Sequence, residues 1–386
     1  MENNRLWSKN FVIINLCTMF ASFTNYAYIY ILPVHMLHIS GSNTMVGLMG
    51  AGLTIVGLIT RLALSPLIDK WGRKPMLVMG VILFTLNSVG YLLLRNSVMG
   101  ILIMRCFGGF TQGIFFPVPP TIISDVAPKG KLVDALGIFG IACSLPAILS
   151  PVLGMYFYEN ISITAFFIMT WLSNMISVGF SFFYKDEYKP VPKTEKRSFS
   201  LNSMLETSVI MPCIVFFLAL FGFSAVNNFA IACGESRGIA GMSLFFTVHN
   251  IAIVATRLFA ARFQKFIPSR KLIYAGLGVI GVGTLMMAFA GSFFMMVAAS
   301  VIMGIGGTVY AQYLQADILL RVAEDRKGVA TSTLMLFQDV GGGIGAAAFG
   351  VTSQYLGYGF TFIAAAAVTF LSMVFMAKDK NTAPRY

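Results

Sequence analysis

The chain has 386 residues, of which 57% are hydrophobic and only 11% are charged, and its mean hydropathy is +0.80. A soluble domain usually has about a quarter charged residues, so this composition excludes a soluble enzyme, a nucleic-acid-binding protein and a disordered scaffold. The 27 Lys and Arg residues exceed the 15 Asp and Glu residues, for a formal charge of +12. In so apolar a chain, basic residues mark cytoplasmic loops rather than a nucleic-acid surface. The composition therefore indicates an integral membrane protein.

Twelve apolar runs are long enough to cross a bilayer, which takes about 20 residues of helix. In the first half the predicted spans are 10–37, 44–64, 75–94, 98–123, 136–158 and 162–183. In the second half they are 208–233, 242–260, 272–290, 293–319, 329–354 and 360–377. The longest polar stretch separates the two groups, so we expect an N-terminal six-helix bundle (1–184), a cytoplasmic linker (185–207) and a C-terminal six-helix bundle (208–386).

The placement of basic residues supports this order of spans. If both termini and every even-numbered loop lie in the cytoplasm, 24 of the 27 Lys and Arg residues fall on that side. Arg95 and Arg237 fall on the opposite side, and Arg105 lies within a span. Because cytoplasmic loops are enriched in Lys and Arg, we predict a multi-pass protein of the cell inner (plasma) membrane with both termini in the cytoplasm.

The second half of the sequence repeats the first at a constant offset of 196 residues. Thr60-Arg61-Leu62 matches Thr256-Arg257-Leu258, Gly80 matches Gly276, and Gly108 matches Gly304. Six spans per half keep the two halves in the same orientation. The repeat therefore predicts an all-α membrane protein of twelve helices in two parallel six-helix bundles, with a cleft between the bundles.

A basic segment between the second and third predicted spans points to a family. Asp69, Lys70, Gly72, Arg73 and Lys74 resemble the signature loop of the major facilitator superfamily, although Ser65 replaces its first glycine. Gly72 allows a tight turn, and the basic residues hold the loop on the cytoplasmic face. The resemblance implies the major facilitator fold and a gating loop that favours one of two access states.

Two further segments resemble motifs of the same family. Arg105 and Gly109 in the fourth span are similar to its Arg-x-x-x-Gly segment. In the fifth span, three residues fit the antiporter pattern and three replace its glycines: Gly137, Pro151 and Gly154 fit, whereas Pro146, Ser150 and Met155 do not. The resemblance implies a drug- or metabolite-efflux-type proton antiporter. The replaced glycines leave open an uptake symporter or uniporter for a metabolite or sugar, and more remotely a non-transporting membrane receptor.

Two charged residues lie deep in the predicted spans. Asp339 is 12 residues beyond Lys327, which is about 18 Å along a helix, and Arg105 is the only deep permanent cation. An isolated charge at this depth costs roughly 3 kcal/mol or more, so such groups usually pair or face a wet cavity. A change in their separation would alter the proton affinity of Asp339. We therefore predict Asp339 and Arg105 as the proton-coupling residues; a fixed ion pair or a helix-packing hydrogen bond is the alternative.

Other polar residues in the spans are candidate linings of the substrate cavity, because several lie on spans that commonly face the cleft in this family. They are Asn25, Tyr28, Thr111, Gln112, Asn227, Asn228, His249, Asn250, Tyr310, Gln312 and Gln338. His249 could relay protons or form a structural hydrogen bond. The pairs Gly109/Gly113 and Gly341/Gly345 are spaced for close helix contact, and prolines in spans four and five predict bends.

The sequence does not favour an enzyme or a pump driven by ATP. The histidines, His35, His38 and His249, are scattered, and there is no phosphate-binding Gly-rich loop. The five cysteines show no paired spacing, so we expect no cofactor, metal or disulfide. The expected partners are a small-molecule substrate, protons and the lipid bilayer, and we expect a monomer.

Overall fold

The computed structural model describes residues 7–128, 132–185, 206–263, 268–322 and 327–379, and within them the chain is built from helices. The first seven helices are α1 (Lys9–Ser40), α2 (Asn43–Trp71), α3 (Arg73–Leu94), α4 (Val98–Phe115), α5 (Val118–Val126), α6 (Leu132–Asn160) and α7 (Ile163–Phe183). After a 3₁₀ turn at Thr207–Val209 follow α8 (Ile210–Ser236), α9 (Ser243–Phe263), α10 (Ser269–Phe289), α11 (Phe293–Leu320) and α12 (Lys327–Lys378). This all-helical architecture confirms the predicted fold class.

Ten helical stretches of the described chain are long and apolar enough to cross a membrane. One of them, Val329–Lys378, covers two predicted spans, and Gly357 divides it because its φ of 78° and ψ of 169° interrupt the helix. Helix α9 coincides with the eighth predicted span but is not among the ten. The protein is therefore a multi-span membrane protein.

The structure corrects the loop predicted after the second span and shows the interruption predicted in the fourth. The second span was expected to end at residue 64, but α2 continues to Trp71, so the signature segment is helical up to Gly72 rather than a loop. The fourth predicted span, 98–123, lies within one membrane-length stretch, Val98–Val126, which is divided into α4 and α5 around Pro117. Proline has no backbone N–H to donate, so the prolines predict this interruption, whereas α6 continues through Pro146 and Pro151.

The described residues form two compact units. Unit 1 comprises Met1–Ser40 and Gly52–Thr194, and unit 2 comprises Gly41–Ala51 and Glu195–Tyr386. In unit 1, α1 packs against α6 and α7, and α3 packs against α4 and α7. In unit 2, α8 and α10 pack against α12, and α11 packs against α9 and α10. The first turns of α2 thus belong to a different unit from the remainder of that helix.

Equivalent glycines make equivalent contacts inside each unit. A Cβ built on Gly80 would lie 3.0 Å from Cα of Phe115 in unit 1, and one on Gly276 would lie 2.6 Å from the backbone nitrogen of Tyr310 in unit 2. Gly80 and Gly276 are 196 residues apart, the offset of the sequence repeat. The close approach of neighbouring helices therefore requires glycine at both repeat positions.

The glycine pairs predicted for helix contact do make close contacts. Gly113 of α4 lies against Gly57 of α2, where an added Cβ would be 2.8 Å from the carbonyl oxygen of Gly57. Gly341 of α12 lies against Phe217 of α8, and an added Cβ there would be 2.6 Å from a carbonyl oxygen. These contacts fix the helices that carry Arg105 and Asp339.

Candidate functional site

Arg105 lies in the interior of unit 1. It is on α4 and is only 4% exposed. The hydroxyl of Tyr91, on α3, is next to its guanidinium, and Tyr28 of α1 is also within electrostatic range. The rings of Tyr28 and Tyr91 are 4.8 Å apart. Three helices therefore surround the guanidinium with aromatic and uncharged polar groups.

This environment leaves hydrogen-bonding capacity unused. Among the described residues, Nε of Arg105 and Oδ1 of Asn87 are buried without a hydrogen-bond partner. The acids of unit 1 whose side chains are described are Asp125 and Glu159, and neither forms an ion pair with Arg105. A buried guanidinium without a neighbouring carboxylate is costly, so this position is suited to receive negative charge.

Asp339 lies in the middle of α12 in unit 2, and its side chain is partly exposed. Gly341 and Gly345 hold the neighbouring turn of α12 against α8. Successive helix residues are rotated by about 100°, so Asp339, two residues before Gly341, points away from the contact with α8. The carboxylate is therefore positioned on the side of α12 that α8 does not cover.

The other candidates in unit 1 lie on α1 and α4. Tyr28 is fully buried, and its hydroxyl is 3.0 Å from Oγ1 of Thr170. Thr111 is also buried and donates to the carbonyl of Gly108. Asn25 is partly exposed but its Oδ1 is buried and has no partner among the described residues, and Gln112 is partly exposed. Tyr28 thus lies in the same aromatic cluster as Tyr91.

The candidates in unit 2 include a histidine with a well-defined environment. Nδ1 of His249 donates to the carbonyl of Ser300 at 2.9 Å, and its ring stacks on Phe223. The remaining candidates lie on α8, α9, α11 and α12: Asn250 and Tyr310 are buried, whereas Asn227, Asn228, Gln312 and Gln338 are partly exposed. His249 therefore has one ring nitrogen fixed by the backbone, which is the arrangement of a structural hydrogen bond.

The signature segment is anchored at its C-terminal end. Gly72 has a φ of 92°, which favours glycine, and forms the turn between α2 and α3. Nε of Arg73 donates to Oδ2 of Asp125 at 2.9 Å, and Nζ of Lys74 donates to the carbonyl of Phe182 at 3.0 Å. The backbones of residues 69 and 70 belong to α2, but the side chains of Asp69 and Lys70 lie outside the described residues.

Sequence reasoning missed the neighbours of Arg105. Asn87 and Tyr91 lie one helical turn apart on α3, and neither belongs to a recognised motif. Asn87 is a polar residue within an apolar predicted span, which was the available signal. The partner helix could not be predicted because it depends on how α3 and α4 face each other.

Comparison with known proteins relates this arrangement to a transporter family. The profile of the Major Facilitator Superfamily matches residues 14–239 and 212–385. The chain is 20% identical over 370 residues to the staphylopine export protein of Staphylococcus aureus, covering 92% of this chain and 91% of that protein. It is 21% identical over 335 residues to the quinolone resistance protein NorA of the same species, covering 82% of each chain.

A solved structure supports the same fold. A crystal structure of the nucleoside transporter NupG superposes with a TM-score of 0.82 at 11% identity, covering 96% of this chain and 100% of that chain. The relatives are transporters, not enzymes; one is named for export and another for quinolone resistance. The helical spans, the glycine-mediated packing and a profile match over nearly the whole chain place this multi-span protein in the Major Facilitator Superfamily of membrane transporters.

Proposed function

We propose that this protein is a secondary transporter that exports a small organic molecule across the plasma membrane in exchange for protons, by alternating access. The two relatives reported above are named for export and for drug resistance and match most of this chain. We also propose that it acts as a monomer. Both termini lie in the cytoplasm in this proposal, since 24 of the 27 basic residues fall on that side in the predicted topology.

The observation that carries the coupling mechanism is the buried guanidinium of Arg105. Its Nε has no hydrogen-bond partner, and no carboxylate with a described side chain in unit 1 pairs with it. We propose that Asp339 binds and releases the transported proton. Burial raises the proton affinity of a carboxylate, and a nearby cation lowers it. A conformational change that alters the surroundings of Asp339 couples protonation to transport, because each state then has a different proton affinity.

The remaining candidates have supporting roles in this proposal. The polar residues on α1, α4, α8, α9, α11 and α12 line the substrate path. The segment Asp69–Lys74 favours one access state, and its anchor is the ion pair between Arg73 and Asp125. This ion pair joins α3 to α5, so a change in the segment would be transmitted to the helix that follows α4.

Everted membrane vesicles test the proposal. A panel of drugs and metabolites is assayed for uptake into vesicles with and without a pH gradient. We expect at least one compound to accumulate only with the gradient, and Asp339→Asn to reduce this accumulation at least tenfold. Glu159→Gln, which changes an exposed acid at the end of α6, is the matched control and should retain transport.

Two outcomes would contradict the proposal. If Asp339→Asn accumulates compounds as the wild type does under the gradient, Asp339 is not the protonation site. If accumulation is equal with and without the gradient, the protein is not a proton-coupled exporter, and the uptake or uniport alternative replaces it.

A further inference from the structure

A cluster of two histidines and a tyrosine lies beside Arg95, at the opposite end of α3 from Arg73. His35 and His38 are near the end of α1, and Tyr158 is in the last turn of α6. Nδ1 of His38 is 2.7 Å from the hydroxyl of Tyr158, which in turn is 3.4 Å from Nδ1 of His35. The tyrosine hydroxyl therefore bridges two imidazole rings.

The acceptor beyond His35 determines the direction of the hydrogen bonds. Nε2 of His35 is 2.7 Å from the carbonyl oxygen of Arg95, at the end of α3. A carbonyl oxygen only accepts, so Nε2 of His35 must carry a hydrogen, and in the neutral ring Nδ1 is then an acceptor. Tyr158 donates to that nitrogen and accepts from Nδ1 of His38. In the neutral state, one continuous chain of donors runs from His38 through Tyr158 and His35 to Arg95.

The two histidines differ in their access to water. His38 is exposed, whereas His35 is only 4% exposed. The His38 imidazole is therefore the ring of the pair that solvent reaches. The chain therefore connects an exposed proton acceptor with a buried one through a hydroxyl group that can both donate and accept.

We propose that His38, Tyr158 and His35 form a proton relay that loads a proton onto buried His35 from the water on this side of the membrane. Protonated His38 transfers its Nδ1 hydrogen to the oxygen of Tyr158, and Tyr158 transfers its own hydrogen to Nδ1 of His35. The Nδ1–H bond of His38 breaks and the Nδ1–H bond of His35 forms, so Tyr158 stays neutral and one positive charge moves inward.

The relay leaves every hydrogen-bonding group satisfied. After transfer, His35 donates from Nε2 to Arg95 and from Nδ1 to Tyr158, and Tyr158 donates to the vacated Nδ1 of His38. The 3.4 Å step is longer than an ordinary hydrogen bond, so the Tyr158 hydroxyl must approach His35 for the second transfer. The relay rests on the proposed function in one respect only, namely that the proton loaded onto His35 is then used in transport.

The other charged and titratable groups on the elements around His35 are few. The guanidinium of Arg95 donates to the carbonyl of Leu92, and exposed Glu159 follows Tyr158 on α6. Helix α7 contributes the ring of Phe167, 6.2 Å from the His35 ring. His38 is the titratable neighbour that acts on His35 electrostatically. Protons therefore reach His35 through Tyr158.

Nuclear magnetic resonance of the purified full-length protein tests the relay without a transport substrate. The chain has three histidines, so labelling their Cε1 carbons with ¹³C gives three signals, which His38→Gln and His249→Gln assign. We expect the His35 signal to shift as the pH falls from about 8 to about 5. In Tyr158→Phe His35 should stay neutral, because the Nδ1–H of charged His35 would be buried without an acceptor.

Tyr156→Phe is the matched control, because Tyr156 lies two residues earlier on α6 and its side chain is 55% exposed. It should leave the pH response of the His35 signal unchanged, and an unshifted His249 signal will show that each variant is folded. A His35 signal that does not respond to pH in the wild type would overturn the relay, as would one that responds equally in Tyr158→Phe.

Exchange of the His35 N–H hydrogens with water provides a second measurement. We expect exchange to slow at least tenfold in His38→Gln, because proton entry is removed while Tyr158 remains. Unchanged exchange would contradict entry through His38. If vesicles show no proton-coupled flux but these signals behave as expected, the proposed function fails and the relay stands. If vesicles show proton-coupled flux but the signals do not behave as expected, only the relay is rejected.

Discussion

Nε of Arg73 lies 2.9 Å from Oδ2 of Asp125, and this ion pair joins the first turn of α3 to the last turn of α5. The two partners differ in burial, since the side chain of Arg73 is 7% exposed and that of Asp125 is 34% exposed. The pair thus combines a buried cation with an anion that water can reach. The energetic consequences of removing each partner should therefore differ.

Removing the carboxylate should destabilise the protein more than removing the guanidinium. Asp125→Asn removes a carboxylate from a buried guanidinium and should lower the free energy of unfolding by about 3 kcal/mol. Arg73→Gln leaves a partly hydrated Asp125 and should cost only about 1.5 kcal/mol. Thermal unfolding of the detergent-solubilised variants measures the difference, with Lys74→Gln as control. Equal losses for both variants would show that burial does not determine the effect.

Replacing Arg105 should reduce transport without reducing thermal stability. A buried, unpaired cation is costly, and a hydrophobic residue of similar volume is often neutral or stabilising in its place. We expect Arg105→Met to unfold at the same temperature as the wild type or higher, yet to lose at least tenfold in gradient-driven accumulation. A marked loss of thermal stability in Arg105→Met would instead assign Arg105 a structural role.

Gly47, in the first turns of α2, should not tolerate replacement by a residue with a side chain. In unit 2, a Cβ at this position would lie 2.9 Å from Cα of Gly350 and would also meet the carbonyl of Ala346. Because backbone atoms cannot move aside easily, Gly47→Ala should destabilise the protein by about 2 kcal/mol. Gly140→Ala, with no atom within 4 Å of its new Cβ, should stabilise α6 by about 0.8 kcal/mol. Thermal unfolding distinguishes the two, and a neutral Gly47→Ala would contradict the close packing.

A buried ion-pair network in unit 2 should stabilise the fold independently of pH. Nη2 of Arg321 lies 2.8 Å from Oδ2 of Asp379 and also pairs with Asp317. Burial lowers the pKa of the Arg321 guanidinium, but the two carboxylates outweigh burial and hold its pKa above the ordinary value. A cation with a raised pKa contributes its full stabilisation at every pH below its unfolded pKa and loses it only as the pH rises through the folded pKa.

That pH range lies well above neutrality for an arginine. We therefore expect Asp379→Asn to lower the free energy of unfolding by about 2 kcal/mol, since Arg321 keeps Asp317 as a partner. The loss should be the same at pH 6 and pH 10. Thermal unfolding at the two pH values measures it, with exposed Lys378→Gln as control. A loss that disappears at pH 10 would contradict the charge state assigned to Arg321.

Much of the helical order could be predicted from the sequence. The predicted third span, 75–94, ends with α3 at Leu94, and the predicted sixth span, 162–183, ends with α7 at Phe183. In the structure Ser162 caps the start of α7, where its hydroxyl accepts a hydrogen bond from the backbone of Ala165. The predicted second span ended at residue 64, short of the end of α2 at Trp71, because the polar residues after position 64 lower hydropathy without ending the helix.

The candidate site could be predicted only in part. The positions of Arg105 within α4 and Asp339 within α12 followed from the apolar runs, because residue number along a helix gives distance along its axis. The partners of the charged groups did not follow. Nothing local to Tyr158 indicated that its hydroxyl bridges His35 and His38, which are 123 and 120 residues away in the chain.

The sequence by itself determined that this protein resides in a membrane, where its charges concentrate and which residues occupy its helices. Those properties depend on sums over neighbouring residues, since a bilayer requires about 20 apolar residues per crossing. The tertiary structure decided which polar groups meet, which glycines must remain glycine and why the first turns of α2 belong to unit 2. These features depend on the faces that packed helices present to each other, and helix contact is a property of pairs of segments rather than of either segment alone.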